Sequence, residues 1–308
     1  MRVGVVQQIW RYPVKSMAGE RLEVCSVERS GIPGDRGWAL RNEKSGEITN
    51  GKRIPLLMQC AARSREQPHG GSSPVVDIVF PDGTSTSSDS PQVNSRLSEV
   101  LGTEVTLWPL QPATNKAHYR RADPSARIAG QLSRLPGFRP LLRKLTSFGH
   151  MNQALRELFS REPNEPIPDI SVLPPDVLEF TSPLGTYFDA FPINVLTSAS
   201  LETMARLNPE AVWDVRRFRP NFFIEATNDI RGLVESEWDG LKLRISGVEL
   251  ECEIPTARCG MTTHAQEGIP RDPSVLRSIV KDADQKLGIY ASVTQAGRVS
   301  IGDPVELV

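Results

Sequence analysis

Apolar positions along this chain recur mostly in short, alternating runs separated by turn residues. In the first hundred-odd residues, "VGVVQQIWRYPV", "RLEVCSVERSGI", "WALRN", "VVDIVF" and "EVTLWPL" are each bounded by Gly, Pro, Asp-Gly or Ser clusters. Such runs predict strands. One segment departs from the pattern. "SPQVNSRLSEVLG" predicts a helix with Ser90 as N-cap, Pro91 at the first helical position and Gly102 as the stop. Many short strands with turn signals predict a barrel or sandwich rather than a doubly wound parallel sheet. No GxGxxG or P-loop pattern follows a strand, which argues against a nucleotide-binding fold.

The middle of the chain changes character. From Asn115 to Lys144 it carries Lys116, Arg120, Arg121, Arg127, Arg134, Arg139, Arg143 and Lys144 against one acid, Asp123. "SFGHMNQALRELFS" (147–160) predicts an amphipathic helix, and the Pro-rich "REPNEPIPDISVLPPD" after it reads as a linker. Residues 112–178 are therefore expected to form a basic, partly helical connector, whose ordinary reading is a solvated face. The last third is again mostly β. "NVLTSASLETMARL" predicts a strand running into a helix capped by Ser198 or Ser200, with Glu202 early in its first turn. "NFFIEA", "LKLRIS", "VELECEIP" and "ASVTQAGRVSIGDPVEL" follow as strands.

Bulk properties narrow the function classes. The 308 residues, 39% hydrophobic and 24% charged, suit a soluble globular protein with a full-sized core. A formal net charge of -1 gives no global argument for nucleic acid or an acidic membrane surface. The N-terminal apolar run breaks at Gln7 and Gln8, and no run approaches the roughly 20 residues that span a bilayer. A cytoplasmic protein without a membrane segment or nucleic-acid partner is expected. Four cysteines (Cys25, Cys60, Cys252, Cys259) in a chain this long make no disulfide framework. Cys259 and His264 are spaced like half a zinc site, but no second pair of ligands stands nearby.

Strand parity separates the cysteines. Val248, Leu250, Cys252 and Ile254 share one face against Glu249, Glu251 and Glu253, so Cys252 reads as core. Cys25 and Cys60 lie in similar apolar runs. Cys259 differs: Pro255 is expected to end the strand and leave "ARCGMTT" (257–263) as a loop or turn. Arg258 beside it favours a thiolate, Gly260 allows close approach, and Thr262 and Thr263 carry hydroxyl donors. Other strand ends set Arg or Lys beside Ser or Asn: Lys15 and Ser16 in "YPVKS", Asp35, Arg36 and Trp38 in "GDRGW", Arg219 and Asn221 in "FRPN". Each alone is ordinary. Together they read as an anion pocket assembled from several loops, beside a thiolate suited to a soft metal.

"YPVKS", "GIPGDRGW", "LTSASL", "FRPNFFIE", "ARCGMTT" and "GDPVEL", in that order, resemble the two-part MOSC proteins, over roughly residues 1–110 and 180–308. Within that family the pattern is similar to the mitochondrial amidoxime reducing components and to YcbX. The resemblance implies an α+β fold, mainly β. It would comprise a MOSC N-terminal β-barrel domain over 1–111, the connector over 112–178 and a MOSC β-barrel domain over 179–308. It implies a molybdenum cofactor (molybdenum bound to molybdopterin) with Cys259 as metal ligand and catalytic residue. Lys15, Ser16, Arg36, Thr197, Ser198, Arg219, Asn221 and Arg258 would bind the cofactor. Lys52 and Arg53 match a basic region of relatives loosely. The implied activity is an oxidoreductase acting on small N-hydroxylated or related N–O substrates. YcbX-like proteins carry a ferredoxin domain after "GDPVEL", whereas this chain stops at Val308. Electrons are therefore expected from a separate ferredoxin- or cytochrome-like donor with its reductase, and the basic run is a candidate docking surface for it. Two other uses stay open: sulfur transfer through a Cys259 persulfide, and a cofactor carrier without turnover.

Overall fold

The computed structural model describes residues 1–68, 71–135, 138 and 149–308. The N-terminal strands are β1 (Arg2–Arg11), β2 (Glu20–Leu22), β3 (Val24–Val27), β4 (Trp38–Asn42), β5 (Glu47–Ile48), β6 (Ala61–Ser64), β7 (Val76–Val79), β8 (Ser85–Ser87) and β9 (Val105–Pro109). The C-terminal strands are β10 (Ile193–Thr197), β11 (Phe222–Ala226), β12 (Lys242–Ile245), β13 (Val248–Ala257), β14 (Lys286–Gln295), β15 (Gly297–Ser300) and β16 (Pro304–Leu307). The described α-helices are α1 (Val93–Leu101), α2 (Lys116–Tyr119), α3 (Pro124–Leu132), α4 (Gly149–Phe159), α5 (Pro175–Glu179), α6 (Ser198–Leu207) and α7 (Pro273–Asp282), and short 3-10 turns join the elements.

The large sheet runs β11-β10-β14-β13-β12-β16-β1-β2, and β11 also pairs with β1. That pairing closes a barrel of seven strands with β2 outside it. All its pairings are antiparallel except β10–β11. The first strand of the chain is thus a stave of the C-terminal barrel. Its inward residues Val3, Val6 and Ile9 are spaced by three because the register shifts between Arg2 and Gly4 and between Val6 and Gln8. Gly4 is needed where β1 meets β11, since a Cβ there would lie 2.2 Å from the Glu225 carbonyl oxygen. Barrel side chains, including Val195, Ile224, Leu250, Cys252, Ile289 and Val305, fill one core.

The N-terminal part packs a second core between two three-stranded sheets, β5-β4-β9 and β6-β7-β8. Bridges at Val14–Trp38 and Ala18–Ala61 tie these sheets to the segment after β1. That segment, Tyr12 to Gly19, therefore lies between the two cores.

Local capping differs from the sequence expectation at two helices. α1 begins at Val93 because Ser90 Oγ instead accepts from Gln92 N in a turn (3.3 Å). Its end is as expected: Gly102 takes a left-handed φ of 64°. α6 is capped by Thr197, not by Ser198 or Ser200. Thr197 has extended backbone, and its hydroxyl oxygen accepts from Ser200 N (3.2 Å). Its first turn holds no acid, so Glu202 has no role there.

The connector is anchored rather than free. Arg134 donates to Glu179 and, at 2.6 Å, to Asp176, while Arg121 donates to the Val177 carbonyl (3.1 Å). Arg120 lies 4.0 Å from Glu179. These pairings correct the picture of a bare cationic face, because α5 brings carboxylates against the run. Arg139, Arg143 and Lys144, and residues 147–148 of the expected helix, lie outside the described residues.

Where connector and N-terminal sheets meet, His118, Tyr119, Tyr187 and Phe180 pack together, with His118 Nε2 2.8 Å from Tyr187 Oη. Desolvation lowers the His118 pKa, with Arg41 acting the same way. Desolvation also lowers that of His264. The fold keeps both rings neutral where the unfolded chain takes up protons, below about pH 6.5. The unfolded state then binds more protons, so stability must fall as pH drops through that value. Thermal melts from pH 7.5 to 5.5 should show a falling melting temperature, with a shallower slope in His118→Gln. An equal slope in that variant would remove His118 from the account.

Candidate functional site

β13 does not stop at Pro255. It runs to Ala257, and the register shifts between Cys252 and Ile254 and again between Pro255 and Ala257. Proline is tolerated there because the ladder is already irregular. The first bulge also turns Ile254 off the core face that Cys252 occupies and buries Thr256. Cys259 follows the strand by two residues and opens a single 3-10 turn, Gly260–Thr263. It is half-buried, whereas Cys25, Cys60 and Cys252 are fully buried. Desolvation pushes the thiol pKa of Cys252 and Cys25 to about 12 and of Cys60 to about 11. These three are inert core thiols. Thr262 and Thr263 are not free donors: their hydroxyls bond the Cys259 and Gly260 carbonyls (3.0 and 2.7 Å) and stabilise the turn itself.

Two arginines that the sequence did not single out hold this turn. Arg217 is 1% exposed and donates to the Thr262, Pro270 and Val212 carbonyls at 3.1, 2.7 and 2.9 Å. Arg161, the first residue of the stretch read as a linker, is also buried. It donates to the Arg258 carbonyl (2.8 Å), the Phe159 carbonyl (2.8 Å) and Gln285 Oε1 (3.3 Å). Desolvation takes its guanidinium down to about 10, opposed first by the nearby Cys259. Ser160 before it packs on Gly260, where a Cβ would lie 2.3 Å from Ser160 Oγ. No periodic signal marks Arg161, since its role comes only from where α4 ends.

Arg36, Arg219 and Arg258 converge from three separate segments. The Tyr12 ring carries the Arg219 guanidinium at 4.2 Å and that of Arg36 at 4.5 Å. Arg36 is ion-paired with Asp35; desolvation opposes its charge, but Asp35 outweighs this and raises its pKa. Arg219 bonds the Met17 carbonyl through Nη1, and its Nη2 is buried without a partner. Desolvation, reinforced by Arg36, brings its pKa down to about 10. Arg258 donates to the Leu287 and Phe218 carbonyls (2.7 and 2.9 Å), and its Nη2 is likewise buried and unpartnered. Tyr290 lies within electrostatic reach of Asp189, Arg258, Cys259 and Arg36, and burial raises its pKa so that it stays a neutral phenol.

Lys15 joins the same cluster through Asp189. Its Nζ donates to Asp189 (2.8 Å), Ser182 Oγ and the Tyr187 and Phe188 carbonyls. Surrounding protein disfavours the Asp189 charge, but Lys15 outweighs this and holds its carboxyl well below the usual range. Asp189 stands within reach of Lys15, Lys52 and Arg36, yet its side chain is 67% exposed. It therefore faces open space rather than packed protein. Three further expected residues have internal partners. Asn221 bonds Asp35 (3.0 Å), the Trp10 carbonyl and Asn194 N, and so braces the Asp35–Arg36 pair. Thr197 caps α6, and Ser198 Oγ accepts from Ala226 N (3.1 Å).

Three of the expected residues hold unusual backbone. Ser16, Arg36 and Arg219 have φ of 70°, 52° and 51°, as does Ser160 at 54°. Left-handed conformations at non-glycine residues cost of the order of 1–3 kcal/mol and gather at functional sites. Here they aim Arg36 and Arg219 onto Tyr12.

The cluster therefore holds four cations (Lys15, Arg36, Arg219, Arg258) with the carboxyl groups of Asp35 and Asp189, and Glu235 within electrostatic reach of Arg258, beside the Cys259 thiol. Buried positive charge and two N–H donors without partners suit an anionic ligand. Residues 3–111 match the MOSC N-terminal beta barrel domain, and residues 185–306 match the MOSC domain. The chain belongs to the MOSC-domain family. Curated relatives include mitochondrial amidoxime reducing component 2 of Bos taurus, 25% identical over 327 residues, 99% of this chain and 83% of that protein. Another is mitochondrial amidoxime-reducing component 1 of Homo sapiens, 24% identical over 326 residues, 100% of this chain and 84% of that protein. Among solved structures, the YUAD protein of Bacillus subtilis aligns over 99% of this chain and 95% of its own, with 12% identity and a TM-score of 0.39. No helix among the described residues of this MOSC protein is long and apolar enough to cross a membrane.

Proposed function

We propose that this MOSC protein binds a molybdenum cofactor and reduces N-hydroxylated or related N–O compounds with electrons from a separate redox protein. One observation carries the reading: two buried arginines, Arg219 and Arg258, each with an unpartnered Nη2, in a cation-rich cluster beside an accessible cysteine. Those donors fit the phosphate of a pterin cofactor, and Arg36, also over the Tyr12 ring, adds charge. The Cys259 thiolate fits a soft metal, and as a single ligand it leaves the remaining positions to the cofactor and substrate. When bound, that cofactor supplies the oxygen-atom chemistry.

The chain's own residues do the rest. Arg217 and Arg161 fix the turn that presents Cys259. The Lys15–Asp189 pair keeps a charged, solvent-facing wall, and Tyr290, within electrostatic reach of Cys259, retains its phenolic proton. Reducing N–OH to N–H consumes two electrons and two protons and releases water. The named relatives are amidoxime reducing proteins, which places amidoximes first among substrates to try.

Metal analysis of the full chain, made in a host that synthesises molybdenum cofactor, tests the reading. Molybdenum near one atom per chain is expected. Sulfane sulfur on Cys259 without molybdenum would replace it with sulfur transfer through a persulfide.

A further inference from the structure

Of the three carboxyl groups at the cation cluster, one is open to a ligand. Asp35 has a fully buried side chain and is used by Tyr12 N (2.7 Å), Asn221 (3.0 Å) and Arg36. Glu235 is 1% exposed and accepts from Thr197 N (2.5 Å) and the Ser200 hydroxyl. Asp189, in the segment that leads into β10, differs from both. Lys15 Nζ holds its Oδ1 at 2.8 Å, while Oδ2 accepts no hydrogen bond among the described residues and the side chain is 67% exposed. We propose that Asp189 selects, among N–O compounds, those with an N–H donor beside the N–O group, as in amidoximes, by accepting a hydrogen bond from that donor. The inference rests on the function proposed above and adds the residue that reads the substrate.

The chemistry around Asp189 supports this role. An ionised carboxylate only accepts hydrogen bonds, whereas the cations near it only donate. Lys15, Lys52 and Arg36 lie within electrostatic reach and keep Asp189 charged. Lys15 is held in place by more than the carboxylate, since it also donates to Ser182 Oγ (3.2 Å) and to the Tyr187 and Phe188 carbonyls (2.8 and 3.3 Å). Lys52 Nζ donates to the Leu158 carbonyl (3.3 Å). A carboxylate does nothing for an anionic cofactor, whose phosphate it would repel. It suits a substrate amino group, through a charge-assisted hydrogen bond. Asp189 and Cys259 both lie within electrostatic reach of the half-buried Tyr290, which gathers the open carboxylate and the accessible thiol around one residue. An amidoxime carries a group for each: an oxygen for the Cys259 side and an adjacent amino group for Asp189.

The test uses the full chain from a molybdenum-cofactor-producing host, with molybdenum measured in every preparation and rates given per molybdenum. Benzamidoxime is compared with its N,N-dimethylamino counterpart, which keeps the N–OH group and lacks the amino N–H donors. Wild-type protein should favour benzamidoxime in kcat/KM by at least about tenfold, as one charge-assisted hydrogen bond provides. Asp189→Asn should lose that preference, mainly through a higher KM for benzamidoxime. Binding gives a readout without turnover. Benzamidine, the reduced product, should bind Asp189→Asn at least about tenfold more weakly by calorimetry, with molybdenum per chain unchanged. No preference in the wild type, or a preference that persists in Asp189→Asn and so reflects steric fit, overturns the proposal. Equal benzamidine affinity in the two proteins overturns it too, and loss of molybdenum from Asp189→Asn would make Asp189 a support of the cofactor instead. Molybdenum-loaded wild-type protein that reduces neither compound refutes the functional reading, and the benzamidine comparison then still decides whether Asp189 accepts from an N–H donor.

Discussion

Cys259→Ser is expected to lower N–O reduction at least about 100-fold, because even partners one step removed from a metal cost 10- to 100-fold when lost. Serine keeps the size of the side chain but replaces a soft, easily ionised donor with a hard, weakly acidic one. The turn should survive, since its hydrogen bonds come from Thr262, Thr263 and Arg217 and not from the thiol. The comparison variant is Cys252→Ser. Its site is 1% exposed within the barrel core, so an unpartnered hydroxyl should cost about 1–3 kcal/mol of stability without touching the chemistry. Steady-state reduction of an amidoxime and urea denaturation of both variants decide the matter. Wild-type turnover in Cys259→Ser would sink the metal-ligand assignment.

Arg219→Gln should release cofactor. One charge-assisted hydrogen bond is worth roughly 1.5–3 kcal/mol, which corresponds to about 10- to 150-fold weaker retention. The variant should have opposite consequences in the loaded and empty protein. With an anion bound, loss of the guanidinium removes an attraction. Without it, the same loss removes a desolvated cation that Arg36 already repels, and part of the cost of losing the Met17 contact is offset. Molybdenum per chain after dialysis should fall steeply. The melting temperature should drop in cofactor-loaded protein and change little in cofactor-free protein. Arg134→Gln serves as control, since Arg134 is paired with Asp176 and Glu179 away from the cluster. Full molybdenum retention in Arg219→Gln would remove Arg219 from the anion site.

The β-rich character, the Gly102 stop and the core position of Cys252 were readable along the chain, because alternation, turn residues and parity are local properties. Arg36, Arg219 and Arg258 could be nominated for the same reason, each being a basic residue at the end of a strand or turn. Their convergence on Tyr12 and Tyr290 could not be read that way, because it depends on pairing β1 with β11 and β16 across more than 200 residues. Bulges hid the rest. Two register shifts in β13 carried the strand past Pro255 and turned Ile254 off the core face, which a strict period of two cannot anticipate.

Sequence by itself determined the strand-rich composition and the family pattern and nominated Cys259 among four cysteines, since side-chain chemistry and local backbone preference are written residue by residue. Tertiary structure alone decided which nominated groups are free. It tied Asn221, Thr197 and Ser198 into braces and caps, and it bound Arg134 of the basic run to α5. It left Nη2 of Arg219 and Arg258 buried without partners, and it set Arg161 from a Pro-rich stretch beside Cys259. The physical reason is that hydrogen-bond satisfaction and desolvation depend on what surrounds an atom in space, and chain neighbours supply only a small part of that surrounding.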